Sequence, residues 1–155
     1  MESFSPDHAT ENIIQTLIDL PEFLRKPILE SRVKEFFSLG IQDKYEIVSG
    51  ILGAVPSFET GKISSLVKTW LLVLSNLDSV LIVEMFRLYC HEISNSPEII
   101  QKIPMEEIIK QFSVLESTQR KKIADCIKEA ILSFPDTSKI VNLIPESGLK
   151  ALQMK

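Results

Sequence analysis

The side chains best suited to catalysis or metal binding are few and far apart. The 155-residue chain has two histidines, His8 and His91, and two cysteines, Cys90 and Cys126. Cys90 and His91 are adjacent, so on a helix their side chains point about 100° apart and do not readily share a metal ion. No Cys-x-x-Cys or His-x-x-x-His spacing occurs, and glycine-rich phosphate loops are absent. We therefore predict a protein without catalytic function, metal or cofactor.

The same residues leave one alternative open. A nucleophile needs a base and an orienting group nearby, and folding could bring either cysteine to His91. A buried pocket that holds these groups, or a pair of acids, would favour an enzyme or a small-molecule-binding domain. Otherwise both cysteines are expected to be buried thiols in a reducing, cytoplasmic compartment, because two cysteines do not form a disulfide framework in a chain of this size. The acidic start of the chain predicts no export signal.

Composition predicts a soluble globular chain. Hydrophobic residues make up 45% and charged residues 25% of it, and its net charge of −4 gives no bulk attraction to nucleic acid or to an anionic membrane. A nucleic-acid-associated subunit is a further alternative that would need a continuous basic face. The most apolar stretch, residues 66–88, is interrupted by charges and predicts two buried helices rather than a membrane span. The mean hydropathy of +0.13 predicts apolar surface for a protein partner or for self-association.

Apolar residues recur at i, i+3, i+4 and i+7, which is typical of amphipathic helices. This pattern, with the prolines and cap residues, predicts an all-α protein of about eight to ten helices. The expected ranges are 6–20, 27–39, 43–56, 62–76, 78–94, 97–102, 104–116, 118–133, 137–143 and 145–153. In this map all eight prolines lie at helix ends. Gly40 is expected in a left-handed conformation after a helix, and Asp43 with Glu46 in a capping box.

The chain also resembles itself. A shift of 76 residues places residues 33–36 (Val-Lys-x-Phe) on residues 109–112 (Ile-Lys-x-Phe), and the match continues without a gap through the next helix. A shift of 34 residues places the same four on residues 67–70 (Val-Lys-x-Trp). We therefore predict a single domain, 1–155, built from three related helical hairpins between two caps. The hairpins are 27–58, 61–94 and 104–135, and the caps are 1–26 and 136–155.

Repeated hairpins of this length resemble the HEAT and armadillo class of helical repeats. The resemblance is carried by residues of the first hairpin and their counterparts: Val33, Lys34, Phe36, Ile47, Ile51, Ala54 and Val55. A distant similarity to the superhelical domains of magnesium transporters and of the flagellar switch rests on the joints at Leu20-Pro21-Glu22 and Ile144-Pro145-Glu146. The class implies stacked antiparallel hairpins in a short right-handed superhelix, with the middle hairpin most shielded. It also implies a scaffold-like, non-enzymatic protein-protein interaction module, by analogy of fold.

Two groups of cations are candidate partner-binding residues. The first is the lysine repeated in each hairpin, at Lys34, Lys68 and Lys110, which could form a ladder along one face of a stacked array and recognise an acidic partner. Lysines are also common on solvated helix faces, which is the structural alternative. The second is Arg120-Lys121-Lys122 near the start of a helix, where the helix dipole adds to three cations and could attract phosphate or carboxylate.

Small residues form a third feature, on the helix that contains Gly50 and Gly53. Glycine inside a helix costs roughly 1 kcal/mol relative to alanine, so two glycines one turn apart need a reason. The favoured interpretation is a close helix crossing at the face formed by Ser49, Gly50, Gly53 and Ala54. A shallow dock for a partner helix is the functional alternative.

Overall fold

The computed structural model describes the backbone of residues 6–154 and the side chains of residues 9–154. That part of the chain is helical throughout and contains no strand, so the all-α prediction is confirmed. Two short 3-10 helices, Val55–Ser57 and Pro97–Lys102, lie between α-helices. The α-helices are α1 (Pro6–Asp19), α2 (Glu22–Phe37), α3 (Ile41–Ala54), α4 (Thr60–Ser75), α5 (Ser79–Asn95), α6 (Met105–Ser113), α7 (Ser117–Leu132), α8 (Thr137–Leu143) and α9 (Glu146–Ala151). The side chain of His8 lies outside the described residues.

Helix α2 begins earlier than the sequence pattern predicts. The Pro21 carbonyl accepts hydrogen bonds from the N–H groups of Leu24 and Arg25, which starts the helix at Glu22. Pro27 therefore lies inside α2, and the prediction that it marks a helix start was wrong. Because proline has no N–H, the Phe23 carbonyl lacks its usual donor four residues later.

Three helix–turn–helix corners have the same backbone geometry, at Gly40, Asp78 and Glu116, which are 38 residues apart in turn. All three residues are extended, with φ of −71°, −63° and −58°. Each carbonyl accepts a hydrogen bond from the N–H four residues later, and the leucine before each donates its N–H to the carbonyl three residues back. Because φ at Gly40 is negative, the prediction of a left-handed conformation there was wrong. Any residue can adopt the extended conformation that is observed. The predicted capping box of Asp43 and Glu46 was also wrong, because α3 begins at Ile41 and Asp43 lies inside its first turn.

The 38-residue step differs from the 34-residue shift that the sequence match favours for the middle hairpin. Two steps of 38 reproduce the 76-residue shift between the first and third hairpins. The difference of four residues is about one helical turn, and a helix displaced by one turn presents nearly the same apolar face. In the structural register, the buried residues Phe36, Leu74 and Phe112 are equivalent.

Helices pack mainly against their second neighbours along the chain. On one side α2 contacts α4 and α4 contacts α6, and on the other α1, α3, α5 and α7 contact one another in that order. Helix α9 packs against α6, and α8 contacts α5 and α7. The segment 61–94 has 12 buried residues, against 8 in 27–58 and 7 in 104–135. This agrees with the prediction that the middle hairpin is the most shielded.

The two glycines of α3 have different surroundings. Gly50 lies where α1 crosses α3, and a Cβ on it would lie 2.7 Å from Oγ1 of Thr10. Gly53 is exposed, and a Cβ there would meet nothing within 4 Å. The predicted close crossing is therefore present at Gly50, whereas Gly53 lies on open surface.

Alanine at these two positions should change stability in opposite directions. In Gly50→Ala the new Cβ must displace the Thr10 side chain or its helix, so the free energy of unfolding is expected to fall by about 1–3 kcal/mol. Gly53→Ala removes backbone freedom without a clash and should raise it by about 0.5–1 kcal/mol. Urea denaturation of both variants measures the difference, and a shift of the same sign in both would contradict the assigned crossing.

Candidate functional site

A surface groove of about 380 Å³ lies between the first half of α2 and the middle of α4. We call it the α2–α4 groove. Its lining combines apolar side chains with three charges: Glu22, Phe23, Lys26, Pro27, Glu30, Thr69 and Leu72. A smaller groove of about 150 Å³ lies between α1 and α2 and is lined by Asn12, Ile13, Thr16, Leu17, Ile28 and Arg32. Both grooves open to solvent.

The apolar part of the α2–α4 groove is held in place by secondary structure. Phe23 is 76% exposed, which is unusual for an aromatic side chain without a covering partner. Pro27 lies one turn along the same helix, and Leu72 faces both from α4. Thr69 is 1% exposed, and its hydroxyl donates to the Ser65 carbonyl at 3.3 Å, so the polar group beneath the groove is satisfied.

A buried arginine fixes α2 beside the groove. The Arg25 Nε donates to the Leu17 carbonyl at 2.8 Å, and Nη2 donates to the carbonyls of Ile18 and Leu20. Its Nη1 donates to Oγ of Ser65 on α4 at 2.7 Å. One guanidinium therefore caps the end of α1 and ties α1, α2 and α4 together.

Arg25 was not among the residues predicted from the sequence, although its position carries a signal. Arg25 lies on the same helical face as the buried Leu29, Val33 and Phe36. A lone cation at the head of such an apolar row indicates a charge that is buried and hydrogen-bonded.

The charges of the α2–α4 groove lie in one row on α2. Glu22 and Glu30 flank Lys26, one turn away on either side. Lys26 forms no ion pair or hydrogen bond with either glutamate. The lining therefore carries two carboxylates and one ammonium group, so negative charge is in excess at the rim of the groove.

The three lysines of the predicted ladder are all exposed. Lys34, Lys68 and Lys110 make no hydrogen bond or ion pair within the described part of the chain. In the 38-residue register Lys34 and Lys110 are equivalent, but Lys68 lies one turn earlier, at the position that Glu30 and Glu106 occupy in the neighbouring helices. The three lysines therefore do not occupy equivalent positions, and glutamates lie at the position equivalent to Lys68 in the two neighbouring helices. That it binds a partner stays a prediction.

Charge reversal tests that prediction. Replacing Lys34, Lys68 and Lys110 together by glutamate should weaken binding of an acidic protein partner about 3- to 10-fold while the helical circular-dichroism signal is retained. The matched control is the same reversal at three other exposed lysines, Lys62, Lys102 and Lys150. Equal effects in the two triple variants would show that overall charge, not the ladder, is recognised.

The cations of Arg120-Lys121-Lys122 do not converge on one anion. The Arg120 Nη1 donates to the Leu115 carbonyl at 2.8 Å, at the end of α6. Lys122 donates to the carbonyls of Ser75 and Leu77, at the end of α4. Lys121 is exposed and pairs with Asp125 at 2.9 Å. Two of the three cations thus stabilise helix ends from within the fold.

The cysteines and His91 are apart from both grooves. Cys90 and Cys126 are buried free thiols, and burial raises the pKa of Cys90 to about 11. The imidazole of His91 stacks on Tyr45 with 4.2 Å between ring centroids, and its buried Nδ1 has no hydrogen-bond partner. Among the side chains described, no group of three or more His, Cys, Asp or Glu could hold a metal ion.

The buried thiol predicts a loss of stability in alkaline solution. Between its ordinary pKa of 9.0 and about 11, Cys90 keeps its proton in the folded chain and loses it in the unfolded chain. The unfolded state then binds fewer protons, so the free energy of unfolding falls as pH rises through this window, by about 2 kcal/mol. Urea denaturation at pH 8 and pH 10.5 measures the fall, and Cys90→Ala should show a smaller one. An equal fall in both proteins would remove Cys90 as the cause.

No protein-family model matches this chain, and no curated protein or solved structure is significantly similar to it. Across the described helices, none has the length and apolar character needed to cross a membrane.

Proposed function

We propose that this chain is a non-enzymatic protein-protein interaction module of helical-repeat type, in which three hairpins stack side by side as in HEAT and armadillo proteins. The observation that carries the proposal is the α2–α4 groove, with its 76% exposed Phe23, between the first helices of two adjacent hairpins. In stacked arrays, the surfaces between like helices of adjacent repeats are extended and bind protein segments. The alternative of an interhelical ligand pocket has less support, because both grooves open to solvent and contain neither cysteine nor His91.

Contacts between like helices support the stacking. Tyr45 of α3 stacks on His91 of α5, and the Arg87 guanidinium of α5 donates to Oγ of Ser133, directly after α7. Contact of each odd-numbered helix with the next is expected when each hairpin packs on its neighbour. The two free thiols, Cys90 and Cys126, support placing the module in a reducing, cytoplasmic compartment.

Site-specific photo-crosslinking tests the proposal. A photoreactive phenylalanine analogue replaces Phe23 in the full chain, which is then illuminated in extract from its native cells. The control carries the analogue at Val114, an apolar position that is 65% exposed at the corner between α6 and α7. We expect discrete protein adducts from position 23 and not from position 114. Adducts with nucleic acid alone, or the same adducts from both positions, would reject an interaction module centred on this groove.

A further inference from the structure

We infer that the α2–α4 groove binds a peptide segment of a partner protein in which an arginine or lysine lies beside an apolar residue. This inference rests on the proposed function and specifies the partner's chemistry. A volume of about 380 Å³ is at the low end for ligand pockets, so the groove accommodates a few side chains rather than a whole helix.

The acceptors at the rim select a cation. The Glu22 and Glu30 carboxylates are two turns apart on α2, and the Phe23 carbonyl between them has lost its helical donor to Pro27. An arginine has five N–H donors and no acceptor, and a lysine has three, so both fit a site where acceptors are in excess. Lys26 is the one opposing charge in the lining, and it pairs with neither glutamate.

The aromatic ring selects the same group. Phe23 exposes a large part of its surface beside the carboxylates, and the face of a phenyl ring attracts a guanidinium or ammonium group. Pro27 and Leu72 continue the apolar surface toward the middle of the groove, where a neighbouring apolar side chain of the peptide would lie. An acidic peptide would place its carboxylates beside Glu22 and Glu30 and would be repelled.

The charge of the chain favours the same occupant over longer distances. Residues 1–60, which include α2, contain ten acids and five bases, whereas residues 61–155 contain eleven acids and twelve bases. The −5 charge of the first segment attracts a cationic segment toward the first hairpin and raises its association rate at low ionic strength.

Matched peptides give a direct test on the full chain. Four synthetic ten-residue peptides share one tryptophan and one leucine and carry two arginines, two lysines, two glutamates or two serines beside them. Fluorescence anisotropy at low and moderate salt measures their affinities. The arginine and lysine peptides should bind about 10-fold more tightly than the glutamate peptide, and salt should reduce this difference.

Substitutions in the groove should have effects of opposite sign. Phe23→Ala is expected to weaken binding of the arginine peptide about 10-fold, because it removes the aromatic anchor. The double variant Glu22→Gln/Glu30→Gln should weaken it about 5-fold, and Lys26→Gln should strengthen it about 2- to 3-fold. The matched control, Asp43→Asn/Glu46→Gln, removes the same charge from exposed positions on α3 and should leave the affinity unchanged.

The outcomes separate this inference from the proposed function. Tighter binding of the glutamate peptide, or weaker binding of the arginine peptide after Lys26→Gln, would overturn the inference that the partner segment is cationic. Protein adducts at position 23 would still support the proposed interaction module. A chain that dimerises in light scattering, and becomes monomeric with Phe23→Ala, would show that a second copy occupies the groove. Absence of both adducts and peptide binding would reject the inference and the proposed function together.

Discussion

Replacing Arg25 by alanine should lower the free energy of unfolding by about 3–5 kcal/mol. The side chain is 7% exposed and donates four hydrogen bonds, three of them to carbonyls of α1 and of the turn that follows. Alanine would leave these carbonyls without a charged donor in a place that water hardly reaches. Urea denaturation followed by circular dichroism gives the change directly.

Two variants show whether the hydrogen bonds or the charge are responsible. Arg25→Lys keeps the charge, but one ammonium group cannot reach all four acceptors, so we expect about half of the loss. Arg32→Ala removes an exposed arginine from the same helix and should change stability by less than about 0.5 kcal/mol. If Arg25→Ala is as mild as Arg32→Ala, the guanidinium is not the link between α1, α2 and α4.

Helix positions could be predicted from the sequence because their signals are local. The range 137–143 is α8, and helices begin directly after Pro104 and Pro145, one residue later than predicted. Pro27 misled the prediction because a proline signal does not distinguish the start of a helix from its second turn. The start of α2 is decided instead by the Pro21 carbonyl and by Arg25, which anchors the first turn to α1.

Neither the repeat register nor the hydrogen-bond partners of the cations could be predicted from local signals. An apolar pattern of period 3.6 repeats after about one turn, so sequence matching does not separate a 34-residue shift from the structural step of 38. Arg25, Arg120 and Lys122 donate to backbone carbonyls, which every residue carries, so nothing in the sequence marks their partners. For Arg120 and Lys122, the tertiary packing alone decides whether the cation faces inward or remains available to a partner.

The α2–α4 groove was not predictable either. Its position depends on the start of α2 and on the repeat register, and the sequence pattern predicts neither correctly. It exists because α2 begins at Glu22, which adds Phe23 and Lys26 to the helix, and because α4 packs beside it one repeat later. From the sequence pattern, α2 was expected to begin only at residue 27. The candidate binding residues predicted from the sequence were therefore the repeated lysines and residues 120–122, and none lay in the first turn of α2.

Substituting Leu74 by alanine should cost about 3–5 kcal/mol of unfolding free energy. Leu74 has no exposed surface, and α4 contacts α1, α2, α6 and α7, so the cavity left by the missing carbons has little room to collapse. Leu132→Ala, at a position that is 64% exposed, is the matched control and should change stability by less than about 0.5 kcal/mol.

The same variant tests whether the three hairpins stabilise one another. Trp70, the one tryptophan of the chain, lies on α4 against Phe86 and Tyr89 and reports on the middle hairpin, whereas circular dichroism reports on all helices. Because the outer hairpins bury their apolar faces on α4 and α5, we expect both signals of Leu74→Ala to move together to lower urea concentration. Loss of the tryptophan signal while the helical signal persists would mean that the outer hairpins fold without the middle one, and stacking on it would not be what holds the array together.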